Sequence, residues 1–118
     1  MEYLMFVCTD TEPDTDTANE PDIEEWVAEG ERRGIRKQGD RLVSREKART
    51  VRVRNGETLV TDGPFAETKE WIAGYDLLEC KDLDEAIEYA SRHPMARAGR
   101  IEVREVMAWE GSAGEAVL

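Results

Sequence analysis

A chain of 118 residues can close one hydrophobic core and is too short for two. Its 27 Asp and Glu against 16 Lys and Arg leave a net charge of −11, which sets nucleic acid aside as a general partner, because phosphate binding needs clustered cations. Apolar residues make up 40% of the chain but come in short runs, none near the roughly 20 positions of a membrane helix, so no membrane association is expected.

The chain opens on an apolar run at 3–8, Tyr-Leu-Met-Phe-Val-Cys, which reads as a strand buried on both faces. Its start has neither a basic region nor a small-residue cleavage site, so the expectation is a cytoplasmic protein without a signal peptide. Cys8 and Cys80 both fall in apolar runs and read as buried thiols. Residues 9–22 carry Pro13, Pro21 and many acidic groups and read as a loop. Ile23, Trp26, Val27 and Gly30 then recur at helical spacing between Pro21 and Gly34, which predicts a helix over 22–33.

From 35 to 61 the period shortens to two. Thr50-Val51-Arg52-Val53-Arg54 alternates, and Asn55-Gly56 is a strong hairpin signal before Thr58-Leu59-Val60-Thr61, so a β-meander is expected. Residues 71–80 read as a further strand with apolar residues on both faces. Asp82 and Glu85 form a capping box ahead of Leu83, Ala86, Ile87 and Ala90, predicting a second helix from 83 to about 92 that stops at His93-Pro94. Residues 100–108 alternate as a last strand. The domain is placed at 1–109, with 110–118 as a tail.

Strand, helix, strands, helix, strand is the order of an α+β ferredoxin-like sheet with two helices on one face and an extra β-hairpin. Two helices cover one face only. Apolar residues on the other face call for a cover, and a second copy packed sheet to sheet, as a homodimer, is the simplest one.

Charge is unevenly placed. Residues 1–31 contain no Lys or Arg, whereas 32–54 hold ten against Asp40 and Glu46. This basic stretch either receives an anionic ligand or partner, or pairs with the acidic surface.

The segment Asp62-Gly63-Pro64-Phe65-Ala66-Glu67-Thr68-Lys69-Glu70 is the most distinctive: a carboxylate suited to capping its own turn, a permissive glycine, a fixed φ and an apolar anchor. With Gly74-Tyr75, Asp84-Glu85-Ala86, His93-Pro94 and Gly99-x-Ile101-Glu102-Val103-Arg104, it resembles the YCII-related family, specifically its DGPF-motif branch, over residues 2–107. The resemblance implies a dimeric α/β barrel. Some relatives look like enzymes acting on small molecules, and DGPF-type domains also accompany extracytoplasmic-function sigma factors. The enzymatic branch pairs an aspartate with a histidine in the N-terminal half. Here His93 stands alone after the second helix, so that pair does not carry over, although Asp62 matches the motif aspartate.

Three residues are therefore candidates for chemistry: Asp62, Asp76 and His93. Asp62, Phe65, Lys69, Tyr75 and Arg104 are the candidate ligand-binding set, in a pocket between the two sheets of the dimer. Asp76 is a carboxylate in an apolar strand, where a lone charge is costly, and Arg104 is its expected partner, with Glu102 competing for that arginine. His93 is expected to interact with the last carbonyls of its helix. One histidine and two dispersed cysteines build no zinc site, no phosphate or dinucleotide glycine loop is present, and no cofactor or metal is expected. Two readings follow: a homodimer that binds or transforms a small molecule, or a regulatory module that touches a protein partner such as a sigma factor.

Overall fold

A computed structural model describes residues 1–16, 21–63 and 70–108. Four antiparallel strands, β1 (Glu2–Thr9), β2 (Arg36–Arg41), β5 (Ile72–Glu79) and β6 (Gly99–Glu105), form one sheet in the order β2-β5-β1-β6. Between β2 and β5 the chain makes a separate hairpin of β3 (Arg49–Arg54) and β4 (Glu57–Asp62). This is the ferredoxin-like order, and the expected meander splits: β2 joins the main sheet and does not pair with β3. No helix among the described residues is long and apolar enough to cross a membrane.

Helix α1 (Ile23–Arg32) starts at Asp22, whose side chain accepts from the Glu24 amide, and ends in a paired-carbonyl stop. There the Ile35 amide donates to Gly30 O and the Gly34 amide to Glu31 O, with Gly34 at φ 70°. Helix α2 (Leu83–Ser91) starts as expected at Asp82, which accepts from the Glu85 amide. Glu85 reaches back to the Lys81 amide at 3.1 Å, one residue further than a capping box predicts. A four-residue helix α3 (Met95–Ala98), absent from the sequence expectation, leads into β6.

Both long helices lie on one face of the sheet. Tyr3, Met5, Val7 and Leu78 rise from the strands to meet Trp26, Ala86, Tyr89 and Ala90, forming the core. The helices are locked by reciprocal bonds. Trp26 Nε1 donates to Tyr89 O at 2.8 Å, Tyr89 Oη donates to Trp26 O at 2.7 Å, and the rings stack at 4.2 Å. Gly30 permits this approach, since a β-carbon there would collide with the Tyr89 hydroxyl.

No helix among the described residues covers the opposite face. Leu4, Phe6, Tyr75 and Leu77 lie on it half-buried, while Glu102 and Arg104 of β6 are exposed at its edge. The last strand is therefore polar on that face, as its alternation implies, and adds nothing to the apolar patch. The hairpin stands away from the sheet. Val51 pairs with Val60 and Val53 with Thr58, placing three valines on one hairpin face at 58–61% exposure. A radius of gyration of 16.9 Å exceeds the about 13–14 Å of a compact domain of this length, in keeping with that projection. Asn55 at φ 51° and Gly56 at φ 77° make the predicted turn.

Candidate functional site

The sheet carries two glycines on its helix side, Gly39 of β2 and Gly74 of β5, at neighbouring positions of the ladder. Gly39 leaves room for the Asp76 carboxylate, which a β-carbon there would overlap, and a cavity of about 560 Å³ lies between this floor and α1. Val7, Ile23, Trp26, Val27 and Met95 are its larger apolar lining residues. Arg36, Asp40, Arg41, Asp76 and His93 bring charge and hydrogen-bonding capacity. A mostly apolar chamber of this size with a few converging polar groups is the usual form of a small-molecule site.

Asp76 is buried, and its Oδ1 accepts from Arg36 Nε at 2.8 Å. The rest of that guanidinium is also engaged: Nη2 donates to Gly39 O at 2.9 Å, and Nη1 lies 3.5 Å from Glu31. Burial pushes the Asp76 carboxyl above its ordinary pKa, and the hydrogen bond and charge of Arg36 pull it back. A bulge in β2 makes the pair possible. Arg36 sits opposite Leu78 and Gly39 opposite Asp76, because the register slips between 36 and 38. Strict alternation would turn Arg36 and Gly39 to opposite faces.

His93 is 6% exposed, edge-on to Trp26 at 4.6 Å between ring centroids. Its Nδ1 accepts from the Met95 amide at 2.9 Å, so the neutral ring carries its proton on Nε2. The imidazole thus serves the start of α3 instead of the last carbonyls of α2. Burial, then the nearby Arg36 charge, hold its pKa down at about 4. It is neutral at physiological pH.

The residues singled out in the sequence part company. Asp76 and His93 line the cavity together, and Tyr75 borders it. Arg104 lies opposite Leu4, on the uncovered face, whereas Asp76 lies opposite Met5 on the helix side, so the expected Asp76–Arg104 pair does not form. Glu102, opposite Phe6, is on that uncovered face as well. Asp62 ends β4, 87% exposed at its side chain, and its carboxylate pairs with Arg49 at 3.1 Å. It stands apart from the cavity. Phe65 and Lys69 lie outside the described residues, as do Glu67 and the tail.

Sequence reasoning missed Arg36, Arg41, Gly39 and Trp26 as cavity residues. Arg36 and Arg41 were visible only as members of the basic stretch, much of which pairs with acidic neighbours: Arg33 with Glu29 and Glu88, Lys37 with Glu2 and Glu79, Arg49 with Asp62. The two cysteines are free and buried, and burial pushes the Cys80 thiol up to about 11, so neither is an activated nucleophile. Among the described residues no group of acidic, histidine or cysteine side chains could hold a metal ion.

The YCII-related domain family matches residues 1–110. The chain belongs to that family. An uncharacterised protein of Rhizobium meliloti (strain 1021) is 54% identical over 50 residues, a stretch covering 42% of this chain and 40% of that protein. The YCII-related chain thus aligns with well under half of that relative.

Proposed function

We propose that this YCII-related chain is a cytoplasmic homodimer of the DGPF-motif branch, and that each copy binds a small molecule in the cavity under α1. The cavity carries the reading. Three ionisable groups, Arg36, Asp76 and His93, converge on it, and burying such groups is costly enough that their clustering in a chamber marks a site. The apolar centre of the open face, Leu4, Phe6, Tyr75 and Leu77, supports packing sheet against sheet. Because Tyr75 belongs to that face and also borders the cavity, the dimer would seal one side of the site.

A second reading, an accessory module for a protein partner such as a sigma factor, draws on the hairpin. Its three exposed valines share one hairpin face with Arg49, and Arg52 and Arg54 alternate to the other, a combination suited to an acidic, partly apolar partner. Absolute molar mass by light scattering over a hundredfold concentration range separates the two. A stable mass of twice the chain supports the dimer, and Leu77→Glu should then shift it towards monomer. A persistent monomer overturns the dimer and favours the accessory module.

A further inference from the structure

Resting on the small-molecule reading of the cavity, the inventory of donors and acceptors narrows its ligand. Arg36 is spent: its three nitrogens face Asp76, Gly39 O and Glu31. Its charge is balanced by Asp76, and His93 is neutral. Asp40 also lines the cavity, though its ladder position opposite Tyr75 belongs to the uncovered face. Arg41, opposite Gly74 on the helix side, lines the cavity at the exposed end of β2 and has no ion-pair partner among the described residues. The chamber therefore offers at its mouth one cation without an ion-pair contact among the described residues, one further donor in His93 Nε2–H, and an apolar wall led by Trp26 and Val27.

We infer that the cavity takes a small organic monoanion, a carboxylate on an apolar chain, with the carboxylate at Arg41 and the chain against Trp26 and Val27. Guanidinium and carboxylate match as a two-point pair. A dianion such as phosphate fits poorly. It would need a second free cation, and it would meet the carboxylate of Asp76 and, further off, that of Asp40. An alcohol or amide of the same shape would leave the Arg41 charge unanswered.

Calorimetry with butanoate, hexanoate, octanoate, hexanamide, inorganic phosphate and benzyl alcohol tests this. His93 is the single histidine, so its ring resonances report on the site without ambiguity. Affinity should rise about threefold to fourfold for each methylene added from butanoate to octanoate. Hexanamide and phosphate should bind at least tenfold more weakly than hexanoate, and hexanoate should shift the His93 resonances. Arg41→Gln, at an exposed strand end, should weaken hexanoate at least tenfold and leave hexanamide unchanged. Equal binding of hexanoate and hexanamide, or indifference to Arg41→Gln, overturns the monoanion while leaving the cavity a small-molecule site. Binding of benzyl alcohol with His93 shifts, but of no carboxylate, has the same meaning. If no probe moves the His93 resonances, both the inference and the cavity reading fall.

Discussion

The helix-covered side of the main sheet and the β3–β4 hairpin both turn apolar side chains to one face, yet they end in opposite environments. Val7 and Leu78 alternate with less buried neighbours and are sealed under two helices, whereas Val51, Val53 and Val60 alternate with arginine and threonine and remain exposed. What differs is the cover. The first set has Trp26 and Tyr89 locked above it, and the hairpin has nothing above it among the described residues. Carboxylates follow the same rule: Asp76 is buried against Arg36, while Asp62 pairs with Arg49 in the open.

Breaking a buried pair on the sealed side should cost most. Arg36→Met strands the Asp76 carboxylate and is expected to destabilise the chain by about 3–5 kcal/mol in urea denaturation. Adding Asp76→Leu should recover most of that loss, because the uncompensated charge is then gone. A single substitution with no larger effect than Arg49→Met at the hairpin, where both partners are exposed, would erase the contrast between the two regions.

The next effect is a pH dependence. His93 titrates at about 4 in the folded chain and near 6.5 when unfolded, so on acidification the unfolded state takes up its proton first. Stability from this group is complete above pH 6.5 and falls as the pH drops to 4, by at most about 3 kcal/mol, with no further loss below. Asp76 works in the opposite sense. Its raised pKa lets the folded state take the proton first, so this term adds stability as pH falls towards 3.8. The difference between wild type and His93→Gln across pH 4–7 isolates the imidazole, and a flat difference would show that burial does not hold it neutral.

Tyr89→Phe sharpens the comparison more gently. It removes the buried bond from the hydroxyl to Trp26 O, a loss of about 0.5–1.5 kcal/mol measured by urea denaturation. On the hairpin, Val60→Thr should change stability by less than about 0.5 kcal/mol, the usual size for a substitution at an exposed site. A larger loss there would mean that the valine face is covered in solution.

Much of the fold was legible. Local signals stated both long helices, the Gly34 stop of the first and the Asp82 cap of the second, the Asn55-Gly56 turn, and the element order of a ferredoxin-like plan, because hydrophobic period and capping chemistry act over a few residues. The site was less legible. Asp76 and His93 stood out as unusual residues in their segments, and they do share a cavity. Their neighbours did not stand out, since Arg36 was one arginine among ten basic residues and Gly39 one glycine among nine.

By itself, then, the sequence determined the long helices and the strands, their order and the family, each written in short-range pattern or in a contiguous motif. Tertiary structure alone decided that Asp76 meets Arg36 and not Arg104. A one-residue bulge in β2 and the registers of β5 and β6 against β1 set which face each side chain takes, and a single step of register reverses that choice. Periodicity can report that a residue alternates. Only the paired neighbour across the sheet determines what it meets.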